Sequence, residues 1–391
     1  MKIILIGGGT LGSVSPLIGI WQSLRKKDIS LKAFFIGTKN GPESILASKY
    51  QIPYQSILSG KLRRYPSLRN LTDIFKIILA FFQSIFILQK IKPDVIVSAG
   101  SFAAVPLIWA SGLFKTRVVL YQPDLTPGLA NRLCQKQADY IFTAFDETSK
   151  KYPSNKVQAV GTVLRHEIKN TKSKIKDRRS RLLILGGGTG SQAINQLIKG
   201  SASQLSDYQI LHVTGKGKSS TFPRDIKLCE KNFLKITPQS GLRSQSYFGG
   251  AGQDRKVLEK VLDKDRRSKI EGQNYQSFEL LTDDYYQKIA EADLVVSRAG
   301  LSTLMELSCL SKPVILIPLP NSPQEKNAKY FCKNNGAVCL KQAGLTSATL
   351  TKTIKELMQN KQQLKKLSEN IYKILVHGGE DKIAQKIYEL K

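Results

Sequence analysis

The chain has 391 residues, 41% of them apolar, with 60 Lys and Arg against 30 Asp and Glu, a formal net charge of +30. That length exceeds one ordinary hydrophobic core and implies two domains of similar size, while the apolar share excludes a chain disordered throughout. Three histidines and five cysteines (Cys134, Cys229, Cys309, Cys332, Cys339), none in Cys-x-x-Cys spacing, argue against a Cys/His zinc site and suit a reducing compartment; no motif calls for a cofactor, and none is expected.

Met1 and Lys2 lead at once into the apolar run Ile3–Ile6 and then glycines. This is a first β-strand, too short for a signal-peptide core, and the expected location is the cytoplasm. Further strands are predicted at 31–36, 95–98, 117–121 and 140–143, each short, apolar and bounded by Gly, Pro or polar residues, with helical patterns between them. This alternation predicts a parallel, doubly wound sheet. The segment 70–92, NLTDIFKIILAFFQSIFILQKIK, is strongly apolar, but Lys76, Gln83 and Gln89 interrupt it. It reads as an interfacial helix flanked by Lys and Arg, or equally as a buried helix of the first half, rather than as a membrane span.

A polar, basic stretch over 165–181 precedes a restart. Leu182–Leu185 again runs straight into glycines, and strands follow at 208–213, 294–297 and 314–318. The chain therefore reads as α/β, two Rossmann-like domains facing across a cleft, over 1–165 and 166–391. A polar stretch over about 237–275 reads as a surface insertion in the second. Ligands of such sheets bind beyond the carboxyl ends of the strands, which suits an enzyme holding one reactant in each half.

Four motifs lie at those ends. GGGTLGSVSP (7–16) and GGGTGSQAIN (186–195) are glycine turns that open helices, where backbone approaches a ligand closely and N–H groups favour anions. The first lacks the acidic residue of a dinucleotide site and the second lacks the Gly-Lys-Ser/Thr of a P-loop. SRAGLSTLMEL (297–307) is a third such turn. Its Glu306 suits a vicinal diol as an acceptor of two hydrogen bonds, or equally a capping box with Ser302 or Thr303 as N-cap. Arg298 reads alternatively as a surface ion pair. In YQPDLTPGLANRL (121–133), Asp124 and Asn131 are the candidates for contact, although turn chemistry explains most of that loop.

Taken together and in serial order, these motifs resemble the MurG-type UDP-N-acetylglucosamine:lipid-linked muramoyl-peptide N-acetylglucosaminyltransferases of glycosyltransferase family 28. GKLRR (60–64), KPDVIVSAGSFAAVP (92–106), GTVLR (161–165) and QEKNA (324–328) extend the likeness over nearly the whole chain. The resemblance implies a GT-B fold and inverting, metal-independent transfer of N-acetylglucosamine from UDP-GlcNAc to a polyprenyl-pyrophosphate-linked acceptor. That acceptor is undecaprenyl-pyrophosphoryl-muramoyl-peptide, and the work is done peripherally at the cytoplasmic face of the cell membrane. Alternatives are a related transferase with another lipid acceptor, and a non-catalytic UDP-sugar- or lipid-binding relative.

Carried over by position, the resemblance puts Thr10, Leu11 and Gly12 at the acceptor-side turn, and Arg165, Gly187, Gly188, Thr189 and Gly190 at the donor diphosphate. Leu301, Ser302 and Thr303 would approach the nucleotide phosphates, Glu306 would hold the ribose, Gln324 and Asn327 the sugar hydroxyls, and Leu281 would sit beside the uracil. The family's usual histidine is replaced by Ser13, and Asp124 becomes the candidate base, with Ser13 orienting the hydroxyl. The net charge, with Lys61, Arg63 and Arg64, suits an anionic membrane surface or a pyrophosphate. With no aromatic or helix-turn-helix pattern beside it, no nucleic-acid partner is expected.

Overall fold

A computed structural model describes residues 1–9, 11–39, 41, 43–60, 68–171, 180–187, 190–215, 217–218, 274–279, 281 and 284–390, with Leu11 and residues 68–72 described by backbone alone. Thr10, Gly188, Thr189, Lys61, Arg63, Arg64 and nearly all of the insertion expected over 237–275 lie outside the described residues.

The first half runs β1 (Lys2–Ile6), α1 (Leu11–Lys27), β2 (Lys32–Gly37), α2 (Glu43–Lys49), β3 (Tyr54–Ser56), α3 (Leu68–Ile91), β4 (Val95–Ser98), α4 (Ala104–Ser111), β5 (Arg117–Gln122), α5 (Leu129–Cys134), β6 (Tyr140–Thr143), α6 (Asp146–Ser149) and β7 (Val157–Ala159). After α7 (His166–Lys169), the second half runs β8 (Arg181–Leu185), α8 (Gln192–Lys199), β9 (Gln209–Val213), β10 (Tyr275–Phe278), α9 (Tyr285–Glu291), β11 (Leu294–Ser297), α10 (Leu301–Cys309), β12 (Val314–Leu316), α11 (Pro323–Lys333), β13 (Val338–Cys339), α12 (Ser347–Gln359), α13 (Lys361–Lys373) and α14 (Gly379–Tyr388).

Two parallel sheets result, in the orders β3-β2-β1-β4-β5-β6-β7 and β10-β9-β8-β11-β12-β13. Strand order reverses between β1 and β4 and again between β8 and β11, and crevices for ligands open at such reversals. Central strands are apolar along most of their length because both faces are covered. Along β1, Ile3 and Leu5 face one core, and Ile4 and Ile6 face another. Along β8, Leu183 and Leu185 join the core that holds Ile3, whereas Leu182 and Ile184 face a third. The inner faces of both sheets thus share one apolar cluster.

The chain's end returns to the first half. Ile383, Ala384 and Ile387 of α14 enter the shared core, and Ser23 of α1 donates to Asp381 at 2.7 Å. The buried Glu380 accepts from the Leu164 N–H at 3.1 Å and pairs with Lys169. Gly19 in α1 is required by this junction, since a Cβ there would stand 2.3 Å from the Leu164 carbonyl oxygen.

Several expectations need correction. Strands β3, β7, β10 and β13 went unread. All are edge-proximal, two to four residues long and half exposed, and β10 occupies the end of the expected insertion. The segment Asp73–Ile91 of α3 is, by length and composition, apolar enough to cross a membrane, contrary to the interrupted reading of its sequence. One face of α3 packs through Ala80, Ile87, Leu88 and Ile91 into the first half's outer core. The opposite face exposes Phe75, Ile78, Leu79, Phe82 and Phe86, a spacing of three and four residues that lines one side of a helix. Cys332 and Cys339 form a disulfide, a pairing that their sequence spacing did not signal.

Candidate active site

The turn after β1 is gripped from behind. Gly9 has φ +84°, a left-handed conformation that favours glycine. The Gly8 carbonyl accepts from the Ser13 and Ser101 hydroxyls, each at 3.3 Å, one from either side of the strand reversal. The buried Glu43 carboxylate accepts from the Gly9 N–H at 3.3 Å and from the Thr38 N–H and hydroxyl, both at 2.5 Å. Ser13 is therefore a brace of the turn, while Gly12 is half-buried on it.

The loop after β5 is organised from inside by buried Gln122. Its amide donates to the Asp124 and Thr126 carbonyls at 3.2 and 3.4 Å, and its oxygen accepts from the Gly128 N–H at 3.2 Å and from Asn131 at 2.8 Å. Asn131 is fully committed within the fold, also donating to the Tyr121 carbonyl at 3.1 Å, and its amide packs against Gly100. Asp124 sits half-buried on this loop. Its backbone carbonyl is bonded, but its carboxylate makes no hydrogen bond or ion pair among the described residues, and burial raises its pKa above the ordinary carboxylate value.

None of the three histidines stands open. His166 bonds Ser23 at 2.9 Å. His212 is buried between Tyr275 (2.7 Å) and Asn195 (3.0 Å), and burial pushes its pKa down to about 3. His377 bonds Thr162 and the Tyr372 carbonyl.

The second half builds a charged site at its strand reversal. In the turn after β8, Gly187 and Gly190 have φ +83° and +74°. A Cβ on Gly190 would meet the Thr214 carbonyl oxygen at 2.1 Å, so only glycine fits there. Ser191 caps α8, accepting from the Ile194 N–H at 3.3 Å. Arg298 is 7% exposed, which removes the surface ion-pair alternative. Its guanidinium donates to the Ser191 hydroxyl at 2.7 Å and to the Ile317 and Pro318 carbonyls at 2.9 and 3.2 Å, with no carboxylate partner among the described residues. A positive charge is thereby fixed beside Gly187 by neutral acceptors.

Helix α10 begins at Gly300, whose φ and ψ are extended, and no side chain caps it. The capping-box alternative for Glu306 therefore falls. Glu306 is instead buried, its Oε2 accepting from the Tyr285 hydroxyl at 2.9 Å and its Oε1 from the Tyr286 hydroxyl at 3.3 Å. Burial raises its pKa, against the opposing pull of those hydroxyls and of Arg165. Arg165 donates through Nε to the Tyr286 hydroxyl at 2.9 Å and lies 5.0 Å over the Tyr286 ring. Leu301 is buried, and Ser302 and Thr303 are half-buried in the first turn of α10. Asn327 donates to the Ala299 carbonyl at 3.1 Å, and Gln324 accepts from the Leu319 N–H at 3.0 Å. Leu281 is buried in the loop before α9.

The second half thus brings together Gly187, Gly190, Arg298, Ser302, Thr303, Glu306 and Asn327, on turns at the ends of β8 and β11, on α10, and on α11 after β12. Arg165 joins them from the junction. Glu43, Gln122, Ser101, Tyr285 and Tyr286 were missed in sequence. The adjacent tyrosines before a strand were the available signal for the last pair.

The comparisons with known proteins agree with this geometry. Residues 3–143 match the glycosyltransferase family 28 N-terminal domain and residues 249–384 its C-terminal domain. A relative in Clostridium perfringens is 33% identical over 374 residues, 93% of this chain and 91% of its own length. Another, in Shouchella clausii, is 34% identical, covering 92% of each chain. Both are named UDP-N-acetylglucosamine--N-acetylmuramyl-(pentapeptide) pyrophosphoryl-undecaprenol N-acetylglucosamine transferase. Among solved structures, Acinetobacter baumannii MurG superposes over 99% of both chains with a TM-score of 0.68 at 20% identity. A UDP-GlcNAc 2-epimerase from Neisseria meningitidis bound to UDP-GlcNAc reaches a TM-score of 0.59 at 16% identity, over 100% of this chain and 99% of its own. These two likenesses establish the two-domain fold, GT-B.

Proposed function

The chain belongs to glycosyltransferase family 28, and we propose from that premise that it moves N-acetylglucosamine from UDP-GlcNAc to undecaprenyl-pyrophosphoryl-muramoyl-peptide in peptidoglycan synthesis. The observation that carries the reading is the second strand reversal. There an arginine bonded to neutral acceptors, two positive-φ glycines and a buried glutamate converge, and the relatives that share this chain over nine-tenths of its length are named for the reaction.

In this reading Gly187 and Gly190 and the first turn of α10, with Leu301, Ser302 and Thr303, present backbone N–H groups to the donor diphosphate. Arg165 and Arg298 supply charge for the leaving UDP, which departs with two phosphates' worth of negative charge. Glu306 accepts from the ribose hydroxyls, Gln324 and Asn327 face the sugar, and Leu281 lies against the uracil. The acceptor hydroxyl oxygen attacks C1 of the sugar from the face opposite the diphosphate. The new C1–O bond forms as the C1–O bond to phosphate breaks, with inversion, and the hydroxyl proton passes to Asp124. A half-buried carboxylate with a raised pKa is a better base than an ordinary one. Gly12 and Ser13 shape the turn on which that hydroxyl rests. The domains divide at 165/166, with α14 belonging spatially to the first.

The lipid end of the acceptor is met by α3. Its exposed Phe75, Ile78, Leu79, Phe82 and Phe86, with Leu113 beside α4, form the apolar face of an interfacial helix, and the basic chain is drawn to the anionic cytoplasmic leaflet. The test is a transfer assay with labelled UDP-GlcNAc and a panel of polyprenyl-pyrophosphate acceptors, the product identified by mass. Label is expected in the muramoyl-peptide acceptor. Label in a different lipid would select the related transferase, and UDP binding without any transfer would select the non-catalytic relative.

A further inference from the structure

We propose that Tyr285 and Tyr286 are positioning residues that hold the Glu306 carboxylate for a ribose 2′,3′-diol, and so set the preference for ribonucleotides over 2′-deoxyribonucleotides. The inference rests on the reading of Glu306 as the ribose partner and extends it to two side chains outside the motif.

Each tyrosine hydroxyl has a single proton to donate, and an ionised carboxylate accepts about four hydrogen bonds. Tyr286 receives a hydrogen bond from Arg165 Nε at 2.9 Å. Arginine has no acceptor, so the direction of that bond is fixed and the Tyr286 proton is left for Glu306 Oε1 at 3.3 Å. The Tyr285 hydroxyl likewise gives its proton to Glu306, at Oε2 and 2.9 Å. One donor is thus assigned to each carboxylate oxygen, leaving about two acceptor positions, one per oxygen. That is the complement of a vicinal diol, which offers two hydroxyl donors.

Without such donors, the terminal torsion of a glutamate is broad. Two tyrosines in successive positions of α9, their rings 5.3 Å apart, clamp it from one side. A site built to bond a hydroxyl rejects the ligand lacking it because its own polar groups are then left unpaired in a buried place. Glu306 is 6% exposed, so that penalty applies here. The clamp also reaches the first half: the guanidinium that feeds Tyr286 interacts electrostatically with Tyr50, which donates to Glu167 at 2.6 Å.

The test is calorimetric titration of UDP and of 2′-deoxy-UDP into the full chain, for the unmodified protein, Tyr285→Phe, Tyr286→Phe, the double variant and Glu306→Ala. Phenylalanine keeps the ring and its packing, so the fold is retained, and melting temperature checks it. The unmodified protein should prefer UDP by roughly 5- to 150-fold, the range for one well-made buried hydrogen bond. The double variant should lose most of that preference through weaker UDP binding, with 2′-deoxy-UDP affinity changed less than about twofold, and each single variant should fall between. If the double variant does not fold, the single variants carry the same reading. An unchanged UDP-to-deoxy-UDP ratio in the tyrosine variants, alongside a collapsed ratio in Glu306→Ala, would overturn the clamp and leave the ribose reading standing. An unchanged ratio in Glu306→Ala as well would overturn both.

Discussion

The two glycine-rich turns open helices at equivalent points of two similar sheets, yet what stands behind them differs. Behind the first are hydroxyls and one carboxylate already committed to backbone: Ser13 and Ser101 on the Gly8 carbonyl, and Glu43 on Gly9 and Thr38. Behind the second are a guanidinium held by neutral acceptors and a carboxylate held by two tyrosines. Fixed charges in a dry, prearranged setting stabilise a charged ligand and its departure without reorganisation. On the proposed function the second half, the nucleotide side, is built in advance, whereas the first keeps the Asp124 carboxylate without a hydrogen bond or ion pair among the described residues. A diphosphate diffusing in solution needs a cage, whereas an acceptor fixed at a surface needs an approach, the role proposed for the apolar face of α3.

That contrast breaks most visibly at Asp124. Asp124→Asn keeps the shape and removes the base, and turnover should fall by roughly 10²- to 10⁴-fold with donor binding retained. Steady-state rates beside UDP titration check this, and near-normal turnover would end the assignment. Next in size is the lipid approach. Phe82→Glu with Phe86→Glu removes two exposed rings, each worth about 1.5–3 kcal/mol when buried, so flotation with anionic vesicles should weaken by about 100-fold or more with an unchanged melting temperature. Phe81 is unsuited to this test, since it packs against the outer core. Retained flotation would make α3 a core helix only.

On the nucleotide side, Glu306→Ala should weaken UDP binding by roughly 5- to 150-fold, the equivalent of about 1–3 kcal/mol. Fluorescence or calorimetric titration reads it, and unchanged affinity would remove the ribose role. The smallest effect sharpens the same half through stability. His212 has its folded pKa lowered from 6.5 to about 3 by burial. The folded protein therefore binds fewer protons there than the unfolded chain, and the contribution is full above 6.5 and lost as pH falls toward 3. At about pH 5.5 the loss is about 1.4 kcal/mol. A denaturant series at neutral pH and at that pH should show this increment in the unmodified protein and not in His212→Gln.

What was legible in the sequence was local. Gly187 and Gly190 could be read because a tight turn demands glycine at closely spaced positions, and Arg298 and Glu306 because they sit within the same short motif. Buried central strands announce themselves as apolar runs, whereas β3, β7 and β13 have half-exposed residues and lie at or near sheet edges, where no such run is needed. The tyrosine clamp escaped because its hydroxyls meet Glu306 across some twenty positions of chain, a contact made by packing α9 against α10. Asn131 was legible as a polar residue of the loop, but only the fold shows both hydrogens of its amide committed to Tyr121 and Gln122.

The division of labour between the halves is tested most directly by titrating UDP-GlcNAc, with no lipid present, into the unmodified chain and into three variants: Glu306→Ala, Asp124→Asn and the Phe82→Glu, Phe86→Glu pair. The prebuilt nucleotide half predicts saturable binding at one site per chain, weakened by Glu306→Ala alone. UDP-GlcNAc affinity that follows Asp124 or the phenylalanines, and ignores Glu306, would contradict it.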